Sequence, residues 1–445
     1  MWSGLPAKDG DAICVEMEEG ARARMSEGQV EHWPSSGADG RPGRWDDWRW
    51  QVAASLVDPL EALRRLRPGA PVDEAAVARA AALLPVRITP YQASLIDPTD
   101  VDDPLARQAL PDPRELLHAA GALPDPLAEE QHMPVERLVH RYRDRALLLV
   151  TQRCAAYCRH CTRRRRIGRG GPISRSQLDA AVAYLTAHPA VRDLLVSGGD
   201  PLLLPDRTLG RILAALRAVP SLEVLRLGTR IPAVLPQRVT PTLARLLARF
   251  RPLYVCTQFN HPRELSEEAV HACALLADAG LPLANQTVLL AGVNDRTELL
   301  EELFRALLRA RVRPYYLLQC DLVEGIEHLR TPLARGLEIM ETLRGRLSGL
   351  ALPTFVVDGP AGSGKIPLTP NYIVSLAPGR TVLRNFEGQL VVYPDPVPAL
   401  LPPPGAPAAA ARLPLDGVAG LLSGALTTLT PRQLERSARR KAGSD

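Results

Sequence analysis

Lysine is nearly absent from this chain of 445 residues, in which three of the 54 basic side chains are lysines. Two of them, Lys8 and Lys441, lie close to the termini. Lys365 is therefore the one lysine inside a chain that otherwise carries its positive charge as arginine. This isolation marks Lys365 as a candidate for chemistry that needs an amine.

Four further absences narrow the class of protein. No apolar run reaches the roughly 18–20 residues of a membrane span, so none is predicted. The first twenty residues, MWSGLPAKDGDAICVEMEEG, carry acids where a signal peptide needs a basic and then an apolar stretch, which predicts a cytoplasmic protein. The formal charge of +5 is small for this length and favours neither a nucleic-acid coat nor an acidic tail. Seven cysteines without a secretion signal do not suggest a disulfide framework.

Apolar runs and amphipathic helical patterns alternate regularly from about residue 145. Six units of this kind begin with RALLLVT at 145–151 and end with RPYYLLQC at 313–320 and its helix. Ser174 with Gln177 fits a helix capping box, and Thr240 before a proline fits a helix N-cap. The alternation predicts an α/β fold with a parallel sheet covered by helices. An open barrel of six strands and a doubly wound sheet both fit this pattern.

The rest of the chain has a different composition. Residues 1–43 are rich in glycine, serine and charge, and predict a disordered tail. Residues 44–135 are predicted to be mainly helical and 136–350 to form the barrel. One more strand and a glycine-rich loop follow in a segment over 351–395, before a proline- and alanine-rich linker and tail over 396–445.

Three cysteines are crowded directly after the first barrel strand. Cys154, Cys158 and Cys161 form C-x3-C-x2-C. Zinc would need a fourth ligand, and no nearby cysteine or histidine supplies a familiar zinc spacing. A four-iron cluster normally takes four thiolates, so three leave one iron open to an outside ligand. The triplet therefore predicts an iron–sulfur cluster with an open iron.

The segment VVDGPAGSGKIPLTPNY contains G-x-x-x-x-G-K from Gly359 to Lys365. A phosphate loop needs serine or threonine after the lysine and a helix to follow. Ile366 follows instead, and Pro370 would lie inside that helix. A nucleoside triphosphate site is therefore not expected. A lysine in a pliant loop suits imine formation with pyridoxal 5'-phosphate (PLP).

The cysteine spacing resembles that of the radical S-adenosylmethionine (SAM) enzymes, and the chain as a whole is similar to the lysine 2,3-aminomutases. The similarity extends from about residue 45 to 395. It is carried by WDDWRWQV, ITPYQASLIDP, HRYRDRALLLVT, CRHCTRR, VSGGDPLL, GTRIPAVLPQR, NQTVLLAGVND, RPYYLLQCDL, EHLRTP, VVDGPAGSGK with PLTPNY, and LRNFEG.

This resemblance implies an α/β fold built as a partial (β/α)6 radical-SAM barrel, with an N-terminal helical region and a C-terminal PLP-binding extension. It implies that the three cysteines hold a [4Fe-4S] cluster and that SAM chelates the open iron. Gly198, Gly199 and Asp200, in VSGGDPLL, would lie near the methionyl amino group. A reducing flavodoxin or ferredoxin would supply the electron that cleaves SAM to a 5'-deoxyadenosyl radical.

The resemblance also assigns residues to PLP. Lys365 would carry PLP and act as the catalytic lysine. Arg141, Tyr142 and Arg145, in HRYRDR, would lie near its phosphate, and Gln286 near both SAM and PLP.

The amino-acid substrate is implied by three more positions. Arg163 would bind the carboxylate, and Asp321 with Asp358 would hold an ε-ammonium. A buried ammonium costs several kcal/mol unless it is paired, so two carboxylates select a cationic side chain. The expected reaction is conversion of L-lysine to β-lysine by migration of the amino group. Arginine, or a different amino acid on the same scaffold, stays open as an alternative.

Two departures from the family pattern matter. Arg296 stands where the best-studied branch has a zinc-binding cysteine, and no cysteine follows Cys320. No zinc is therefore predicted, and a homo-oligomer is left open. Gln258 stands where relatives often have histidine.

Other classes of function make different predictions. The run Arg163 to Arg166 has no aromatic stacking platform beside it, so nucleic-acid binding is not expected. A radical-SAM enzyme without PLP would keep activity after Lys365→Ala. A phosphate-loop ATPase would survive Cys154→Ala, and a cluster-bearing binding protein would contain iron without cleaving SAM.

Overall fold

A computed structural model describes residues 44–69, 73–119, 121–377 and 380–394 of the chain. The two predicted tails, 1–43 and 396–445, lie outside the described residues. The chain divides into two compact units after Leu368.

The first unit is built on a nine-stranded sheet whose spatial order follows the sequence from β1 to β9. β2 to β8 run parallel, and β1 and β9 add antiparallel edges. The strands are β1 Leu138–Tyr142, β2 Arg145–Thr151, β3 Asp193–Gly198, β4 Val224–Thr229, β5 Leu253–Thr257, β6 Leu283–Leu289, β7 Val312–Gln319, β8 Thr354–Gly359 and β9 Gly364–Pro367.

The six predicted strands correspond to β2 to β7, and the α/β fold is confirmed. A doubly wound sheet reverses its strand order at a switch point. This sheet never does, because each strand pairs with its neighbours in the sequence. The strand order therefore favours the open barrel over the doubly wound sheet, a choice that the sequence pattern left open.

Helices connect the parallel strands. Ser174 accepts a hydrogen bond from the backbone N–H of Gln177, whose side chain accepts one in return, so the predicted capping box is confirmed. The predicted cap at Thr240 is also present. The α-helices of the described residues are α1 Trp48–Ala53, α2 Pro59–Leu66, α3 Glu74–Leu83, α4 Pro90–Ser94, α5 Pro104–Ala109, α6 Arg175–Ala187, α7 Asp206–Arg217, α8 Ile231–Val234, α9 Pro241–Ala248, α10 Glu267–Asp278, α11 Thr297–Arg309 and α12 Leu333–Arg344.

The two faces of the barrel strands differ in chemistry. Leu194 and Val196 of β3 are fully buried in the main hydrophobic core. The residues between and after them, Leu195 and Ser197, line an internal cavity. Side chains alternate across a strand, so the outer face packs on helices and the inner face carries polar groups such as Arg226 of β4. The barrel interior thus has room for a polar site.

The N-terminal helices have a second, smaller core of their own, formed by residues of α2, α3, α4 and α5 and the segments between them. They are tied to the barrel by buried polar contacts, such as the Thr89 hydroxyl donating to the Val234 carbonyl at 2.6 Å.

The second unit contains an antiparallel sheet of β10 Ile373–Ala377, β11 Arg380–Arg384 and β12 Leu390–Pro394. In the described part of the chain, no helix is both long and apolar enough to cross a membrane.

Candidate active site

The carboxyl ends of the parallel strands meet at one rim of the barrel and enclose a cavity of about 490 Å³. Every residue to which the sequence assigned a site role lines this cavity, although their segments span more than 200 residues of sequence. These residues are Arg141, Tyr142, Arg145, Cys154, Cys158, Cys161, Arg163, Gly198, Gly199, Asp200, Gln286, Asp321, Asp358 and Lys365.

The cysteine loop follows β2 directly and is anchored by the N-terminal region. Arg159, between the second and third cysteines, is fully buried and forms a two-point ion pair with buried Glu115, at 2.8 Å from Nε and 2.5 Å from Nη2. Arg164 donates to the same carboxylate at 2.6 Å. A buried carboxylate shared by two guanidinium groups compensates its desolvation cost. Glu115 therefore fixes both sides of the loop.

Burial raises the pKa of two of the three cysteines, Cys154 and Cys161. It raises the pKa of Cys161 to about 11, with a further rise from the Cys158 thiol, and it raises the pKa of Cys154 as well. The Arg230 guanidinium donates to Cys158 Sγ at 2.7 Å. Thiols bind metal as thiolates. A metal centre must therefore displace the protons that burial retains on Cys154 and Cys161.

The donor set fits a cluster better than a single ion. Within the described residues, no three His, Cys, Asp or Glu side chains converge as ligands of one metal ion. A four-iron cluster places each thiolate on a different iron, so its ligands need not converge on one point. Three thiols from one loop, facing one cavity, meet that requirement.

The glycine pair after β3 packs against the start of the cysteine loop. The Gly199 N–H donates to the Thr151 carbonyl at 2.6 Å. A Cβ on Gly199 would lie 2.2 Å from the Arg153 carbonyl oxygen, so only glycine fits there. Asp200 accepts hydrogen bonds from the Thr229 hydroxyl at 2.7 Å and from the Arg230 N–H at 2.7 Å. Burial raises the pKa of Asp200 to about 6.

The glycine-rich segment that contains Lys365 is a β-hairpin rather than a pliant loop. A 3₁₀ turn over Pro360–Gly362 joins β8 to β9, and Lys365 lies on β9 directly opposite Asp358. Gly364 has φ +92°, a conformation that favours glycine. A strand follows where a phosphate loop requires a helix, so the segment does not have the geometry of a phosphate loop.

Lys365 is surrounded by the predicted PLP residues. Its Nζ donates to Asp358 Oδ2 at 2.5 Å, and Arg141 Nη2 lies 3.7 Å from Oδ1 of the same carboxylate. The Lys365 N–H donates to the Tyr142 hydroxyl at 2.9 Å. The Tyr142 ring has the guanidinium groups of Arg141 and Arg145 at 5.0 and 4.9 Å from its centroid. The β1–β2 and β8–β9 hairpins thus meet at one end of the cavity.

Asp321 follows β7 and connects this end to the cysteine loop. Its Oδ2 accepts a hydrogen bond from the Thr162 hydroxyl at 2.6 Å. Burial raises the pKa of Asp321 to about 6, and the negative charge of Asp358 adds to the rise while Lys365 and Arg163 oppose it. Two carboxylates and two cations therefore influence one another across this part of the cavity.

Sequence reasoning missed several residues that line the cavity or hold its walls. Glu129 lines it and forms a forked pair with Arg163, and Glu115 and Arg230 hold the cysteine loop. Gln258, a departure from the family pattern, also lines the cavity. The acidic segment DPLAEE at 125–130 was a signal, since a buried arginine run needs nearby carboxylates.

The arginine run is in fact paired with carboxylates along its whole length. Arg163 pairs with Glu129 and Arg164 with Glu115, while Arg165 and Arg166 share Glu130. A compensated run has little charge left for a phosphate backbone. The arrangement adds to the argument against nucleic-acid binding.

Two family models and several known proteins match this chain. Residues 148–304 match the family model described as the Radical SAM superfamily, and residues 340–445 match the model described as Lysine-2,3-aminomutase. The chain is 48% identical over 400 residues to the L-lysine 2,3-aminomutase of Clostridium subterminale, covering 89% of this chain and 95% of that protein. It is 47% identical over 397 residues to the L-lysine 2,3-aminomutase of Acetoanaerobium sticklandii, covering 89% and 96%. The glutamate 2,3-aminomutase of Clostridioides difficile is 39% identical over 352 residues, covering 79% and 83%.

Proposed function

Because this chain belongs to the lysine 2,3-aminomutase family of radical SAM enzymes, we propose that it converts L-lysine to β-lysine with the help of PLP. The protein is an isomerase, a radical SAM aminomutase whose family uses a [4Fe-4S] cluster and SAM. The substrate and the use of PLP are the proposed part.

One observation carries the proposal. A single cavity is lined by the cysteine triplet, by the internal lysine and by charged groups suited to both ends of an amino acid with a cationic side chain. The bound groups would supply a carbon radical, from SAM at the cluster, and a carbonyl carbon, from PLP, to which an amino group attaches during migration. The protein itself binds, orients and shields.

The cysteines would hold the cluster, with Gly198, Gly199 and Asp200 beside the SAM amino group. Gln286, on the inner face of β6, would lie between SAM and PLP.

Lys365 would bind PLP, and the β1–β2 hairpin would bind its phosphate. Arg141 and Arg145 supply the positive charge, and Tyr142 fixes the backbone of Lys365. Binding of PLP as an imine requires a primary amine, which lysine has and arginine lacks.

The two carboxylates support a cationic substrate. Asp358 Oδ1 is buried and accepts no hydrogen bond within the described part of the chain. Asp321 is bonded to Thr162 through Oδ2. A buried ammonium paired with both carboxylates offsets its desolvation, whereas a carboxylate side chain would be repelled. The two carboxylates therefore favour lysine over glutamate as the substrate.

Asp358 would have two successive partners. Its Oδ2 accepts a hydrogen bond from Lys365 Nζ. Lys365 must leave this carboxylate and lose a proton before its amine can attack a carbonyl carbon. Lys365 lies opposite Asp358 on the neighbouring strand, and once it has left, Asp358 would be free to pair with the side-chain ammonium of the substrate.

We further propose that a flavodoxin or ferredoxin reduces the cluster and that the protein acts in the cytoplasm. Zinc is not expected, and a homo-oligomer is compatible with the fold.

Anaerobic turnover of the reconstituted protein with SAM, PLP and reductant tests the proposal, with L-lysine, L-arginine and L-glutamate offered separately. We expect β-lysine from L-lysine and no product from L-glutamate. Formation of β-arginine from L-arginine would support the proposed reaction but show that arginine is a substrate. Cleavage of SAM without rearrangement of any amino acid would contradict the proposal.

Matched carboxylate variants test the substrate assignment. Asp321→Asn and Asp358→Asn should each raise KM for L-lysine roughly 100-fold, since each leaves a desolvated ammonium short of one charge. L-Norleucine, which lacks the ε-ammonium, serves as the control ligand. Its inhibition constant should be unchanged or lower in both variants. An equal loss for both ligands would point to general damage of the cavity.

A further inference from the structure

We propose that Glu129 is a positioning residue, which holds one edge of the Arg163 guanidinium so that its remaining N–H groups receive the substrate carboxylate. This inference rests on the proposed function, in which Arg163 binds that carboxylate. It assigns a role to a residue that the sequence motifs leave unmarked.

The contact is a fork. Arg163 Nε lies 2.9 Å from Glu129 Oε1 and 3.1 Å from Oε2, and Nη2 lies 2.7 Å from Oε1. The Glu129 side chain is only 3% exposed, while that of Arg163 is 20% exposed. Both residues line the cavity. The carboxylate is thus a buried part of the site wall.

The fork leaves a defined set of donors. Arginine has five N–H groups in a rigid plane. The Nε–Nη2 edge is occupied by Glu129, and Nη1 makes no hydrogen bond among the described residues. A second carboxylate approaching Arg163 would therefore be directed to the Nη end of the plane. Planar guanidinium groups bind carboxylates in such two-point geometries.

Pre-ordering has a measurable consequence. A free arginine side chain loses rotamer entropy when it binds a ligand, and this cost weakens binding. Glu129 imposes that order before the substrate arrives.

The alternative is that Glu129 and Arg163 form an ion pair with a structural role alone. Loss of such a pair would loosen the wall and harm all ligands alike. A positioning role affects only ligands that carry the carboxylate. Discrimination between the two therefore requires a ligand that lacks this group.

The test compares Glu129→Gln, Glu129→Asp and Glu130→Gln in the reconstituted holoenzyme. Glu129→Gln should raise KM for L-lysine roughly 10-fold with kcat changed by less than about 3-fold, since the lost order weakens binding of the carboxylate. Glu129→Asp, which keeps the charge, should recover part of this loss. Glu130→Gln is the matched control, since Glu130 is 58% exposed and its ion pairs within the described residues are those to Arg165 and Arg166. It should behave as the wild type.

The second readout is inhibition by 1,5-diaminopentane, which equals lysine without its carboxylate. Its inhibition constant should be the same for wild type and Glu129→Gln. An unchanged KM for lysine in Glu129→Gln, or an equal weakening of lysine and diamine, would overturn the inference. If Glu129→Gln fails to fold, Glu129→Asp decides by the same two ligands.

Arg163→Lys separates this inference from the proposed function. If Arg163→Lys leaves KM for lysine unchanged, Arg163 does not bind the substrate carboxylate and both assignments fail. If Arg163→Lys raises KM while Glu129→Gln does not, Arg163 still binds the substrate carboxylate and only the positioning role of Glu129 is refuted.

Discussion

The loop after β2 and the β8–β9 hairpin lie at the same cavity, yet different forces hold them. The loop has little regular structure, and its shape depends on buried charges supplied by distant residues, chiefly Glu115 and Arg230. The hairpin is held by the ladder of its own two strands, by the pairing of β8 with β7, and by contacts to Arg141 and Tyr142. The loop has to position three thiol ligands around a cluster, whereas the hairpin has to position one amine nitrogen, that of Lys365.

Substitutions in the two regions should therefore have different consequences. Loss of a buried charge should destabilise the loop together with the N-terminal region that anchors it. Loss of a side chain on the hairpin should leave the fold intact and remove one function.

The largest effect is expected for the cysteine triplet. Cys158→Ser should abolish turnover and lower the iron content after reconstitution, because a hydroxyl is a poor substitute for thiolate at a cluster. Iron analysis and SAM cleavage are the measurements. Cys256→Ser is the control, since Cys256 lines the same cavity outside the triplet. Full iron content in Cys158→Ser would refute the ligand assignment.

The next effect separates the two regions by function. Lys365→Ala should lower turnover by roughly 10³-fold or more while iron content stays at the wild-type value, because only the amine is lost. The visible absorbance of bound PLP should disappear with it. Ile366→Ala, on the neighbouring exposed position of β9, should keep both properties. Retention of turnover in Lys365→Ala would favour a radical SAM enzyme that needs no PLP.

The third prediction concerns the anchor of the loop. Glu115→Gln should destabilise the cofactor-free protein by about 3–5 kcal/mol, because two buried guanidinium groups lose their counter-charge. Glu223→Gln removes the partner of exposed Arg192 and should cost at most about 1 kcal/mol. Thermal or denaturant unfolding of both variants measures the difference. Equal values would show that the buried pair does not anchor the loop.

The smallest effect is a pH dependence at the hairpin end. The pKa of Asp321 is raised from 3.8 to about 6 in the folded protein. The folded state thus favours the neutral carboxyl, and this contribution to stability is present below pH 4 and lost as pH rises through about 6. Asp321→Asn, which is always neutral, should therefore be more stable than the wild type by about 1–3 kcal/mol at pH 7.5.

At pH 4 the stability difference between Asp321→Asn and the wild type should fall to about 0.5 kcal/mol, because the folded-state carboxyl is then neutral. Unfolding of the cofactor-free proteins at both pH values is the measurement. A constant difference at the two pH values would attribute the effect to packing or to the Thr162 hydrogen bond rather than to ionisation.

Much of the fold could be predicted, because its signals are local. Apolar runs predicted the positions of β2 to β7, and the caps at Ser174 and Thr240 follow from neighbouring residues. The strand order was not predictable from these signals, since both a barrel and a doubly wound sheet produce the same alternation. Pairing between strands far apart in sequence decided it.

The candidate site divides in the same way. The cysteine spacing and the isolated lysine are visible in the sequence, and both lie at the cavity. The hairpin geometry of Lys365 was not anticipated, because glycine-rich composition suggests a loop and says nothing of the Tyr142 hydroxyl 223 residues away. The pairing of Glu129 with Arg163 also joins segments that no local pattern connects.

By itself, the sequence determined the unit alternation, the helix ends and the chemical groups available for function, because these depend on residues within a few positions of one another. Only the tertiary structure decided how these groups meet. It placed Asp321 against Thr162, 159 residues away, and Asp358 against Lys365 across a hairpin. Burial, charge compensation and cavity shape depend on such long-range neighbours, and these properties make a set of motifs into one site.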